Sequence, residues 1–179
     1  CVEHMLEAVD SGSAPSPFVT CDRRFIIESG VPAPLGNFYR DRIIPLKMIF
    51  PGQEFVSAHR FSKAVLERGV GENFIGEPSS VMIRKEMFFE YGGFNPNLVH
   101  LCDLEYWTRV GTNEGMVHIP KALSSFRVHS RSASAYHHAS KAVEVNYLDR
   151  LVLLHDYLFH PLYKHLRDVP GRQRILKRQ

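Results

Sequence analysis

Between Gly76 and His129 the apolar residues of this chain change period again and again, and glycines mark the changes. Ser79 to Arg84 alternates as a strand does, and Lys85 to Tyr91 turns over to helical spacing before Gly92-Gly93 stops it. Asp103 to Val110 is a second short helix, with Leu104 and Trp107 on one side and Gly111 as its stop. Met116 to Ile119 and Leu123 to His129 are the next strands. This mixture of short strands and helices predicts an α/β fold.

The flanks extend the pattern. Val2, Met5, Leu6 and Val9 recur at helical spacing and run into Ser11-Gly12-Ser13, so the chain opens inside an amphipathic helix whose start is expected to lie upstream. Phe18-Val19-Thr20 and Phe25-Ile26-Ile27 read as a strand or hairpin around Asp22, Arg23 and Arg24. Gly30 to Pro51 holds four prolines and reads as a loop, of a length that is often functional in a compact domain. Phe55, Val56, His59, Val65 and Leu66 suit a helix closed by Gly69. Lys141 to Phe159 is the longest expected helix, broken at Pro161.

With 44% hydrophobic and 23% charged residues, the 179-residue chain has the makeup of one soluble globular domain able to bury a core. No apolar run approaches the ~18 residues of a membrane span. Cys1, Cys21 and Cys102 lie far apart without a CxxC pair, which points to neither a disulfide framework nor a thiolate metal site, and to a reducing compartment. The opening Cys-Val-Glu-His has no initiator Met and no signal segment, and reads as part of something longer. The net charge of +3 is concentrated at the end: Lys164, Arg167, Arg172, Arg174, Lys177 and Arg178 face one acid, Asp168. Such a tail suits a solvated helix or contact with an anionic lipid surface. The body lacks a basic stripe with interleaved aromatics, so nucleic acid is not an expected partner.

Four segments, in order, carry a family resemblance: Asn73-Phe-Ile-Gly-Glu-Pro-Ser-Ser-Val-Met-Ile-Arg-Lys; Tyr91-Gly-Gly-Phe-Asn; Leu101-Cys-Asp-Leu-Glu-Tyr-Trp; and Phe126-Arg-Val-His-Ser-Arg-Ser-Ala-Ser. Together, over roughly residues 73 to 134, they resemble the second half of the family-two inverting glycosyltransferases. The resemblance implies a GT-A-like (Rossmann-like) mixed sheet, a nucleotide-sugar donor, a carbohydrate or lipid-linked acceptor, and a divalent metal, Mn or Mg. The sequence departs from the family in two places. Cys102 stands where the family writes Glu, and no Asp-x-Asp, the family's clamp for metal and nucleotide, occurs in the chain. The donor half is therefore expected upstream of Cys1. Residues 1-135 are read as the acceptor and catalytic-base half, and 136-179 as a helical extension with a basic tail.

Each candidate residue has a functional and a structural reading. Asp103 resembles the family's catalytic base, which takes the proton of an acceptor hydroxyl as that oxygen attacks the anomeric carbon; an Asp at a helix start is also a common cap. Glu105, about 200° around the helix, is not placed to share a metal with it. Alternation sets Arg127 and His129 on one face of the late strand. His129 resembles a late metal ligand of some GT-A enzymes, and is equally read as an ordinary hydrogen-bonded histidine. Arg127 and Arg131 suit diphosphate oxygens, or are exposed strand-end charges. Glu77, in the Gly76 to Ser79 turn, is placed by the resemblance on the acceptor side, where it would accept from sugar hydroxyls or remain an unpartnered turn acid. Trp107 would stack on a sugar face, or pack in the core beside Leu104.

Gly69-Val-Gly71 lacks the third glycine of a dinucleotide loop, and no Walker or GxSxG sequence occurs. His155, His160 and His165 step around a helix without converging, and His137-His138 reads as solvent-facing. The resulting expectation is a cytoplasmic glycosyltransferase half, peripheral to a membrane through its tail if at all. The rival is a carbohydrate-binding or interaction module on the same scaffold.

Overall fold

A computed structural model describes residues 1–10, 16–52, 55–132, 135 and 143–170. The expected Ser11-Gly12-Ser13 turn, His137-His138, the first residues of the Lys141 helix, and Arg172, Arg174, Lys177 and Arg178 lie outside the described residues. The elements run α1 (Val2–Asp10), β1 (Phe18–Ile27), α2 (Ala33–Asn37), a π turn (Phe38–Arg42), α3 (Leu46–Ile49), β2 (Phe55–Val56), α4 (Ala58–Arg68), a 3-10 turn (Pro78–Ser80), β3 (Val81–Ile83), α5 (Glu86–Glu90), α6 (Cys102–Glu114), β4 (Met116–Val128), α7 (Val143–Phe159), a second 3-10 turn (Pro161–Tyr163) and α8 (Lys164–Asp168). This is a mixed α/β fold, with one four-stranded sheet ordered β2-β4-β1-β3. The central pair, β1 and β4, is parallel, and β3 and β2 flank it antiparallel.

The two apolar runs at either end of Asp22 to Arg24 form one strand, not a hairpin. Val19 to Cys21 pairs with Val117 to Ile119, the register then shifts, and Asp22 to Ile27 pairs with Ala122 to Val128. Pro120, which has no N–H to give to a ladder, falls in the shift. At the same point Asp22 and His118 are both buried, and the His118 Nε2 stands 3.4 Å from Asp22 Oδ1, so the bulge gives each polar side chain a partner. Desolvation lowers the His118 pKa, against the pull of Asp22.

Capping chemistry sets the helix ends. Ser57 accepts from the Arg60 N–H and opens α4, while Gly69, at φ +102°, closes it with its N–H on Val65 O. The expected stop at Gly111 is displaced: α6 runs through it to Gly115. Gly111 is small for packing, because a Cβ there would lie 2.6 Å from the ring of Phe61 on α4. Gly30 to Pro51 is not plain loop, since α2, the π turn and α3 occupy most of it.

The main core joins Phe18, Phe61, Phe74, Leu104, Tyr106 and Trp107 to Leu153, Tyr157, Tyr163 and Leu166. Residues expected to form an appended extension after 135 therefore share the core of the rest. A smaller cluster seats Met5 of α1 on Val19, Cys21, Val117 and Ile119. Among the described residues no helix is long and apolar enough to cross a membrane, and the three cysteines are free.

Gly111→Ala separates the two roles of this glycine. In an unobstructed helix interior the change would stabilise by ~1 kcal/mol. Against Phe61 it is expected to destabilise by ~1–3 kcal/mol, read as a lower midpoint in urea unfolding.

Candidate functional site

A cleft of about 1260 Å³ opens beside Arg23 of β1 and the Phe126-Arg127 end of β4, and five of the six residues singled out from sequence, Glu77, Asp103, Arg127, His129 and Arg131, line it. The sixth, Trp107, does not. It is 2% exposed, packed against Phe18, Phe94 and Tyr106, and its indole Nε1–H donates to Gly76 O at 3.2 Å. A side chain enclosed in this way has no face for a sugar. It pins the Gly76 to Ser79 turn to α6 instead.

That turn is held from several sides. Asn73 Oδ1 accepts from the Gly76 N–H at 3.0 Å, Thr20 donates to Ile75 O at 3.1 Å, and the Ser80 hydroxyl donates to Glu77 O at 2.8 Å. Gly76 sits at φ +131°, and a Cβ there would run into Ser80 Oγ and approach Arg23 Nη1 to 3.1 Å. Arg23, with a side chain only 6% exposed, places its Nε 2.8 Å from Glu77 Oε2. Glu77 thus faces the cleft with one oxygen engaged, which answers the reading of an unpartnered turn acid.

Asp103 is the second residue of α6. Leu101 is the cap position and supplies no side-chain bond, so Asp103 is not the N-cap; its Oδ1 accepts the Leu104 N–H at 2.6 Å. Burial pushes its carboxyl up to about 6. The Leu104 N–H draws it down, the charge of Glu77 adds to the rise, and Arg23 opposes it. A carboxylate in that range is ionised at neutral pH and still basic enough to take a proton.

The loop before Asp103 is fixed by Asp149 of α7, which sequence reading missed. Its carboxylate, 2% exposed, accepts from the N–H groups of Val99 at 3.2 Å, His100 at 2.6 Å and Leu101 at 3.0 Å. The signal was present, as a charge four residues after Val145 and three before Val152 on an apolar stripe. Behind the site, Glu105 and Arg109 form a buried two-pronged pair, Nε to Oε1 at 2.9 Å and Nη2 to Oε2 at 2.8 Å. Arg109 also donates to Tyr91 O and, at 2.8 Å, to Gly93 O, and the Tyr163 hydroxyl donates to Glu105. Glu105 is therefore wholly occupied in structure.

On the remaining walls, Arg127 pairs with Glu28 at 2.9 Å in the open, and His129 is half-buried just past the end of β4. Leu35, Phe38, Tyr39 and Ile43, from the proline-rich stretch, make an apolar wall with Phe126. Arg68, Asn146, Tyr147 and Arg150, from α4 and α7, also line the cleft, again unforeseen from sequence. Tyr147 is 64% exposed and is an aromatic surface available to the cleft. Among the described residues no three His, Cys, Asp or Glu side chains come together as a metal site. His129 by itself offers one imidazole, which is too little to define a metal centre.

An uncharacterized protein of Mycobacterium tuberculosis (strain CDC 1551 / Oshkosh), MT1568, is 32% identical to this chain over 94 residues. The matched region is 52% of this chain and 28% of that protein, so the match covers well under half the length of the relative. No family model and no solved structure matches the chain.

The raised Asp103 carboxyl has a consequence for stability. With the folded value near 6 against 3.8 for a free side chain, the native state favours the protonated form. Stability from this group is full below about pH 4 and is lost as pH rises through 6. Asp103→Asn, which keeps the acceptor for Leu104, is expected to flatten that fall. At pH 8 it should be more stable than the parent by ~1–3 kcal/mol, with the difference vanishing near pH 4, as read by chemical unfolding at a series of pH values.

Proposed function

We propose that this chain is the acceptor-binding and catalytic-base part of an inverting glycosyltransferase of GT-A type, with Asp103 as the general base. The observation that carries this reading is a half-desolvated carboxylate, raised to about 6, on a rigid helix start in a cleft walled by arginines. In the reaction, an acceptor hydroxyl oxygen attacks the anomeric carbon of a nucleotide-activated sugar. Its proton passes to Asp103, the bond from the anomeric carbon to the diphosphate oxygen breaks, and the electron pair leaves with the nucleoside diphosphate. Attack in line with departure inverts the anomeric centre. Arg127 and Arg131 are suited to the charge that builds on the leaving diphosphate. The rest of the donor site, including the greater part of any divalent metal site, would be supplied from outside these 179 residues, with His129 as this chain's contribution. A cytoplasmic setting and contact of the basic tail with a membrane surface, where lipid-linked acceptors reside, belong to the same proposal.

Within the cleft, Tyr147 takes the stacking role first assigned to Trp107. Tyr147→Ala should raise the acceptor KM ~3–10-fold, the worth of one aromatic stack, with kcat little changed. Trp107→Phe should instead lower thermal stability through the lost bond to Gly76 O.

The decisive test is Asp103→Asn in the protein that carries the donor half, with consumption of nucleotide sugars as the assay. Turnover should fall ~10²–10⁴-fold with donor affinity retained. The parent's kcat/KM should rise with pH to a plateau, with a midpoint near 6, because only the ionised carboxylate accepts the proton. Undiminished turnover in the Asn protein would remove Asp103 from the chemistry. Sugar binding without turnover in the parent would favour the carbohydrate-binding module.

A further inference from the structure

Two groups of cations line the cleft from different elements. One, Arg127 and Arg131, lies at the end of β4; the other, Arg68 and Arg150, lies on α4 and α7. The second group has features of a prepared site. Gly71, at φ +89°, has the Arg150 guanidinium lying over it, and a Cβ there would be 2.9 Å from Arg150 Nε and 3.3 Å from its Cζ. Arg150 Nε donates to Asn146 Oδ1 at 3.4 Å, and its Nη2 is 3.5 Å from Glu72 Oε1 in a pair about half exposed on both sides. Such an open, long pair contributes ~0–1 kcal/mol and exchanges readily for a better acceptor. Arg68, in the last turn of α4, has no carboxylate partner among the described residues.

The position of Arg150 gives the pair its meaning. It follows Asp149, whose carboxylate holds the Val99 to Leu101 amides and so the start of the helix that carries Asp103. Anything held by Arg150 is therefore registered to the proposed base through a single buried clamp. The same turn of α7 presents Tyr147. A planar guanidinium fork binds carboxylate and phosphate oxygens in two-pronged fashion.

We propose that Arg68 and Arg150 form an anion subsite for the acceptor, and that the acceptor sugar is acidic, bearing a carboxylate or a phosphate. The assignment of this anion to an acceptor rests on the glycosyl-transfer reading; the anion site does not. Binding without donor tests it, by titrating the chain with glucuronate, glucose 6-phosphate and glucose and following backbone amides by NMR. Both acids should shift Gly71, Glu72 and Arg150 and bind ~10-fold or more tighter than glucose. The tighter of the two identifies the acidic group.

Arg68→Gln with Arg150→Gln should reduce both acids to the level of glucose, and Lys63→Gln, at an exposed position of α4 that does not line the cleft, should leave them unchanged. Glu72→Gln, which frees Arg150 without touching its packing, should tighten acid binding. Equal affinity for acids and glucose, or loss of acid binding in Lys63→Gln instead of the paired variant, would overturn the proposal. A full rate in Asp103→Asn would overturn glycosyl transfer by Asp103 and leave these binding results standing, so the two failures are distinct.

Discussion

A single buried carboxylate decides where α6 begins. Asp149 is enclosed on α7, and it accepts from three successive backbone N–H groups, those of Val99, His100 and Leu101. Those donors belong to a loop without a regular ladder, and a buried N–H left unpaired costs about 1–3 kcal/mol. The carboxylate satisfies all three, and a charged acceptor makes stronger bonds than a neutral one. The loop can then deliver Leu101 to the cap position and Asp103 to the cleft without help from a conventional capping side chain. Asp149 thereby ties the entry of α6 to α7, whose Leu153 and Tyr157 sit in the main core.

From that fixed start, α6 acts as the spine of the site. Successive positions of the helix point to different neighbours: Asp103 to the cleft, Glu105 to Tyr163 and Arg109, Trp107 to Gly76, and Gly111 to Phe61. The Glu105 to Arg109 pair is enclosed, and removing one member of such a pair commonly costs ~3–5 kcal/mol because the other charge is stranded. Its value here is geometric. Arg109 gathers the carbonyls of Tyr91 and Gly93, so the turn between α5 and the loop before α6 is tied back onto α6 itself. The Trp107 indole does the same for the turn bearing Glu77. Two loops that carry no ladder are held by side chains of one helix.

What could be read from the sequence follows from the range of the interactions involved. Period and glycine punctuation act within a few residues, so the bodies of α4, α5, α6 and α7 and the strand stretches of β3 and β4 were legible, whereas Phe55 and Val56, read as the start of a helix, pair with β4 as β2; Glu77, Asp103, Arg127, His129 and Arg131, singled out beside the family resemblance, line one cleft. The continuous β1 was not legible. Its unity depends on a parallel partner, β4, about a hundred residues away, and on a bulge that lets Asp22 meet His118. Gly111 misled because glycine signals a helix stop and a close approach with the same letter, and only the ring of Phe61 tells them apart. Trp107 carries both readings for a similar reason: an indole buried beside a backbone carbonyl and one exposed to a sugar have the same helical spacing. Arg150 and Arg68 face the cleft through tertiary packing alone, so no local pattern announced them.

The tuning of Asp103 shows how these constraints meet. A carboxylate in the first turn of a helix is drawn toward ionisation by the open amides and the helix dipole, here through the Leu104 N–H. Left to that influence it would be a weak base. Burial acts the other way and prevails, and the charge of Glu77 adds to it. Yet Glu77 does not act unopposed, because Arg23 lies against it at 2.8 Å and itself lowers the Asp103 carboxyl. The ion pair at the Gly76 to Ser79 turn therefore presents Asp103 with two opposed charges, of which Glu77 has the greater influence, and desolvation exceeds both. The basicity of Asp103 is then set chiefly by how tightly the walls of the cleft exclude water. Under the proposed reaction, an acceptor that displaces more of that water would raise the carboxyl further.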